Sequence, residues 1–472
     1  MRRGSRGFIV VAAGCALLAS CTALPPPQEW GARGASEPAV PPLRPRPAAN
    51  PVTRVSWADA LRIARRRSPT IASATARILR SEALVREASA AAYPRLDARA
   101  SYVRFIEAAD FRGRTGTNVS DDTTRTRPFT GRGSDIYSAG FDVSYPIFDG
   151  GRTYYDKKAA RASLQATRYD FESVVRELEL RVTVAFLDVL LAEGAVEIAE
   201  ETLSFTEKEE ARARTRQEAG ESLKVDTLRF ATNASEERLA LNRARSAKKI
   251  RLAILAELLD VPLPDDVKLV KPDARLDVPG QDAIAAGVRN RSEMQAVSAR
   301  IKQLRHRLSR EHADWWPSVD FFTSYGVLTL DEVKLSDQDD EFQVGGALAM
   351  NLFEGGATAA RTAALRSEIT ELQGIRDELA LRIEREIRES EAELDVARLN
   401  VDVSGETVAL AEEVLTSVSA RYREGELQVI DVTEATLQRA RARLALLRSR
   451  IDLALSQARL RRAVGLEILT NQ

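Results

Sequence analysis

Few side chains in this 472-residue chain are placed to do chemistry. Asp226 and Asp431 each stand six residues beyond a glycine, Gly220 and Gly425. Glu434 lies three residues past Asp431, so on a helix both carboxylates share a face. Tyr422 stands three residues before Gly425. Carboxylates gathered into a ring by several copies select cations and resist anions, and crowded like charges raise one another's pKa. A Tyr422 hydroxyl donating to Asp226 would contribute roughly 1.5–3 kcal/mol as a charge-assisted bond. The plainer alternative is a solvated charged helix surface. No nucleophile, base or metal ligand accompanies these acids, so catalysis is not expected of them. His306 and His312 are the only histidines and sit among Arg305, Arg307, Arg310 and Glu311, a surface pattern. Two His and two Cys build neither a three-His metal site nor a four-Cys zinc site. No Walker loop, dinucleotide fingerprint or metalloprotease helix is present. The expectation is a protein that is no enzyme and needs no cofactor. Lys+Arg and Asp+Glu both total 69, so no basic excess points to nucleic acid.

A third kind of chemistry is available at Cys21. Arg2, Arg3 and Arg6 precede an apolar stretch over 8–20, which ends in Leu18-Ala19-Ser20-Cys21. At ~1.5 Å per residue that stretch is too short to span a membrane and fits an export signal. The ending looks like a bacterial lipobox, with Cys21 the first mature residue and Cys15 lost with the signal. Diacylation of the thiol plus N-acylation, as by palmitate, gives a stable anchor at ~0.8 kcal/mol per buried methylene. Thr22, not Asp, follows, which fits sorting to the outer membrane. Nine of the 18 prolines then lie between Pro25 and Pro51, a composition that stays extended and buries no core.

The elements that must position these residues come from an internal duplication. Tyr145-Pro-Ile-Phe148-Asp149-Gly150-Gly151 matches Met350-Asn-Leu-Phe353-Glu354-Gly355-Gly356 at an offset of 205, which also pairs Gly220 with Gly425 and Asp226 with Asp431. An offset of 223 pairs Pro94 with Pro317 and Tyr102 with Tyr325. Residues 1–20 are thus read as a signal, 21–55 as a lipid-anchored tether, 56–270 and 271–466 as two repeats, and 467–472 as a tail. Each repeat reads helix, extended pair, Phe-acid-Gly-Gly, long helix, Gly turn, helix. Residues 152–219 and 357–424 hold no Pro and three Gly, namely Gly194, Gly374 and Gly405. Each predicts an axis of about 100 Å, interrupted near its middle. Leu437, Ala440, Leu444, Leu447, Ile451, Ala454 and Ala458 follow 3-4 spacing and predict the coiled-coil seam of the last helix.

Four runs of about ten residues alternate apolar with polar, near Leu96–Tyr102, Ala139–Ile147, Val319–Tyr325 and Phe342–Met350. That is the length of a tilted membrane strand. Residues 93–155 and 315–353 hold 18 of the 27 Phe, Tyr and Trp, with Trp315-Trp316 and Tyr154-Tyr155 flanking the runs like interfacial girdles. Four strands cannot close a barrel and open edges are not tolerated in lipid, so several copies are required; three give twelve strands. The segments 106–134 and 331–341 read as exposed loops.

Lipobox, duplication, four strands and ~100 Å helices together resemble the TolC-like outer-membrane efflux proteins. The most specific stretch is Tyr422-Arg-Glu-Gly425-Glu-Leu427-Gln-Val-Ile-Asp431-Val-Thr-Glu434-Ala-Thr436, which is similar to that family's periplasmic tip. The resemblance implies a mainly helical chain with membrane strands, and a homotrimer forming a twelve-stranded β-barrel on a twelve-helix α-barrel. It implies a passive exit duct of tripartite efflux or type I secretion, gated at the tip by Asp226, Tyr422, Asp431 and Glu434. It also implies docking to a periplasmic adaptor and an inner-membrane pump. The family often carries an Arg two residues after the tip glycine; Leu427 stands there, and Arg423 or Arg229 are the available replacements. The rival class is a coiled-coil envelope lipoprotein or an adaptor, for which alternating aromatic strands have no use.

Overall fold

A computed structural model describes residues 54–104, 135–220, 223–270, 283–330 and 340–466. Cys21, the tether as far as residue 53, the 106–134 loop and nearly all of 331–341 lie outside them; Arg54 and Val55, the last two tether residues, belong to a strand. The described residues fall within one compact unit, 51–472. Strand β1 (Arg54–Ser56) leads into α1 (Trp57–Arg67) and α2 (Pro69–Ala90). The two helices meet at Ser68-Pro69, because the residue before a proline leaves the helical region while proline itself starts a helix well. Strands β2 (Arg95–Arg104) and β3 (Asp135–Phe148) follow, then α3 (Arg152–Glu218), α4 (Lys224–Leu259) and β4 (Lys268–Val270). The second repeat runs α5 (Ala283–Asn290), α6 (Ser292–Ala313), β5 (Ser318–Leu330), β6 (Asp340–Ala349), α7 (Ala357–Arg423) and α8 (Val429–Ala463).

The duplication is reproduced element by element. Helices α3 and α7 are both 67 residues, and α2 and α6 are both 22. Contrary to the expected interruption, α3 and α7 run unbroken, about 100 Å each. Gly194 lies inside unbroken α3, where the Leu447 side chain of α8 packs against it. The start of α3 is fixed by Asp149, whose carboxylate accepts from the N–H groups of Gly151 (2.9 Å) and Thr153 (2.7 Å). In the second copy Glu354 takes the position and holds Thr358 Oγ1 (2.8 Å) and Arg361 (3.1 Å) instead.

The four long strands form an antiparallel sheet ordered β2-β3-β5-β6. The register puts Arg95, Asp97, Arg99 and Ser101 across from Ser144, Asp142, Gly140 and Ser138 on a polar face. Leu96, Ala98 and Tyr102 face Val143, Phe141 and Tyr137 on an apolar one, which continues through Tyr325 and Phe342. Next to the sheet α2, α3, α6 and α7 lie side by side; farther down the order is α4, α3, α8, α7. A parallel pair of β1 and β4 marks the middle. There Trp57 Nε1 donates to Thr183 Oγ1 (3.1 Å), and Val182, Phe186, Leu255 and Leu259 are buried. The second repeat's counterpart is a cluster of Ile383, Ile387, Leu394, Leu460 and Val464.

The predicted seam of α8 is kept inside the chain at Leu447, which packs against Gly194 of α3, and at Ala458, which is fully buried; nearer the tip Leu437 and Leu444 are exposed, and Val432, Ala435 and Ala442 beside them are buried instead.

Candidate functional site

The far ends of the long helices, opposite the sheet, bring the predicted residues together. Gly220 follows α3 at φ 80° and Gly425 follows α7 at φ 83°, left-handed conformations open to glycine at no steric cost. Each turn lets the chain double back into α4 or α8. Asp226 and Asp431 occupy the third positions of those helices, so the repeat equivalence has a physical root: an acid in the first turn faces the helix's exposed N–H groups. Asp431 accepts from the Gln428 N–H at 2.8 Å, so a residue read as a selectivity acid also caps its own helix. Glu434 is exposed and accepts from Gln438 Nε2 at 3.4 Å.

Between the two hairpins sits a small apolar node of Ala213, Phe230 and Val429, with Tyr422 packed against it. The rings of Phe230 and Tyr422 meet edge to face, with centroids 5.9 Å apart. Burial pushes the Tyr422 hydroxyl above the usual tyrosine range, Asp226 and Glu209 push it further, and Arg216 opposes them. The hydroxyl therefore keeps its proton, and remains a donor, throughout the physiological range. Tyr422 and Asp226, 196 positions apart in sequence, are close enough for the Asp226 charge to act on the hydroxyl.

The residue missed in the sequence is Arg216. Its guanidinium lies 5.9 Å from the Tyr422 ring centroid, and its Nη2 donates to the Arg423 carbonyl, tying the end of α3 to the end of α7. The available signal was the repeat: Arg216 is four residues before Gly220, as Arg421 is before Gly425. Arg421 instead pairs with Glu426 at 2.9 Å. Of the proposed replacements for the missing arginine, Arg423 contributes its carbonyl and Arg229 is exposed. A second contact links the hairpins: Asn233 Nδ2 donates to Thr433 Oγ1 at 2.7 Å. His312 is exposed and His306 half-buried, and no acid, His or Cys cluster suited to a metal occurs among the described residues.

A sheet of membrane-strand length with open edges, carried on paired ~100 Å helices that end in a small linked tip, defines an outer-membrane channel. The family model described as "Outer membrane efflux protein" matches residues 60–260 and 286–466. The chain belongs to that family: it is an outer-membrane channel of tripartite efflux or type I secretion, a class of proteins that are not enzymes. It is 20% identical over 330 residues to the outer membrane efflux protein BepC of Brucella suis biovar 1, covering 70% of this chain and 72% of that one. It is 27% identical over 260 residues to the alkaline protease secretion protein AprF of Pseudomonas aeruginosa, covering 53% of each. The fold is similar to that of the outer membrane protein VceC of Vibrio cholerae (TM-score 0.72, 16% identity, covering 88% of this chain and 97% of that one). It is also similar to the CmeC outer membrane channel of Campylobacter jejuni (TM-score 0.73, 16% identity, covering 88% and 87%).

Proposed function

We propose that this channel is a lipid-anchored homotrimer, a passive conduit that a periplasmic adaptor and an inner-membrane pump open at the tip. The observation that carries this reading is the pair of unfinished edges. Strands β2 and β6 each have a neighbour on one side only among the described residues. Helix α7 exposes Val396, Leu399, Val403 and Leu410, and α4 exposes Leu228, Leu239, Ile250 and Ile254. An open four-stranded edge in hydrocarbon leaves backbone groups unsatisfied at several kcal/mol each. Self-association of three chains closes twelve strands and covers both helical edges in one step. Polar residues of the sheet then line water while Tyr325, Phe342 and Leu348 meet lipid. Asp226, Asp431 and Glu434, three copies of each, supply acid to the constriction, with Gly220 and Gly425 as its turning points.

The test is native mass spectrometry in detergent, combined with conductance in planar bilayers. A trimer with cation-preferring conductance is expected. A monomer that conducts as well as the assembly would overturn the reading. An envelope-bridging lipoprotein would insert no strands and give no conductance at all.

A further inference from the structure

The next question is how one copy recognises the next, and here the closed-ring reading is assumed. On the sheet side of the molecule the two outer helices are α2 and α7. Helix α2 turns Ala74 and Ser81 toward α3; its opposite stripe is Ala72, Ala76, Leu79 and Ala83, of which Leu79 is 59% exposed. Arg80 and Arg86 border that stripe, exposed and without an ion-pair partner among the described residues. The outer stripe of α7 at the same end holds Glu371, Gly374, Glu378 and Leu381. Leu381 is 69% exposed, Glu371 is unpaired among the described residues, and a Cβ built on Gly374 meets nothing within 4 Å.

Height along the molecule can be read from contacts. Ser81 meets Thr167 at 3.1 Å, and Glu82 meets Arg168 at 3.1 Å, which fixes α2 against α3. Arg152 and Arg361 both reach Asp314, so α3 and α7 begin at one level. The 205 offset then places Leu79 level with Gly374 and Ala72 level with Leu381. Rotation about a channel axis leaves height unchanged, so a neighbour offers the same levels. We propose that Leu79 of one copy seats over Gly374 of the next, and Leu381 over Ala72, with Arg80 set against the neighbour's Glu371. The partner is a second copy of this chain, chosen by size and by sign of charge, and one edge cannot pair with itself.

Paired cysteines test the level directly. Leu79→Cys with Gly374→Cys should cross-link between copies under mild oxidation, giving dimer and trimer bands. Either cysteine alone, or Leu79→Cys with Leu399→Cys far lower on α7, should give none. Gly374→Phe, at a position where a Cβ has open space around it, should raise the fraction dissociated in detergent several-fold. Arg80→Glu should do the same, and adding Glu371→Arg should restore assembly. A wild-type trimer without the 79–374 cross-link overturns this seam while the ring stands. A wild-type monomer overturns the ring as well. Cross-linking to a different protein assigns the stripe to another partner and also refutes the proposal.

Discussion

At the residue scale the tip is held by weak contacts in series: an edge-on aromatic pair, a guanidinium near a ring and a carbonyl, and an amide on a hydroxyl. Each is of order 1 kcal/mol, which suits a closure that binding partners must undo. Replacing Tyr422 with Phe and Asp226 with Ala should raise resting conductance in planar bilayers, and Arg216→Ala should do so even with Tyr422 intact. If all three variants conduct like wild type, the lock does not exist. Removing Asp431 and Glu434 should instead weaken cation preference and block by multivalent cations. Asp149 gives a pH-dependent prediction. Burial pushes its carboxyl up, but hydrogen bonds from Thr153 and Gly151 and the charge of Arg152 outweigh this and hold it below the usual range. A lowered folded pKa contributes stability above the unfolded value, ~4, and loses it as pH falls through the folded one. Asp149→Ala should therefore lower the melting temperature at pH 7, by the equivalent of the ~1 kcal/mol of a lost helix cap. The gap to wild type should shrink toward pH 3.

At the element scale the strongest organiser is apolar burial. Helices α3 and α4 are linked by a ladder of ion pairs, Arg238–Glu207, Arg245–Glu200, Lys248–Glu193 and Arg251–Asp188. Most of these groups are half exposed, so each is worth under about 1 kcal/mol and serves register more than stability. Ile387 is fully buried, and truncating such a side chain to Ala costs about 2–5 kcal/mol. Thermal denaturation should thus separate Ile387→Ala, strongly shifted, from Arg245→Ala, nearly unshifted; equal shifts would reverse this ranking. The same contrast explains what was legible in the sequence. Long helices and alternating strands announce themselves through local period, and the two offsets predicted the pairing of whole elements. The α8 seam was legible at Leu447 and Ala458 but not at Leu437 and Leu444, because an adjacent apolar stripe through Val432, Ala435 and Ala442 is the buried one there and spacing alone does not choose between them. The expected mid-helix interruption does not occur, because apolar partners line both long helices along their middles. Arg216 was missed because a guanidinium near a distant ring leaves no local pattern.

At the scale of the whole molecule, the proposed function gives the chain two independent holds on one membrane, an acylated Cys21 and an inserted barrel. Acylated Cys21 should be found by mass spectrometry of the mature N-terminus. Cys21→Ser should leave conductance in place, because the strands insert on their own; an unmodified mature N-terminus would remove the anchor from this picture. The unbroken course of α3 and α7 has a mechanical consequence. Their middles are clamped near Phe186 and Ile387, and from there to the tip each helix runs a further ~50 Å. Such a rod is a lever with its fulcrum at the waist. A swing of about 10° there displaces the tip sideways by about 9 Å, enough to carry Tyr422 clear of Phe230 without melting a single helical turn. A partner gripping the shaft near the tip needs little force over a long throw, whereas one acting beside the waist has to work against the packed core.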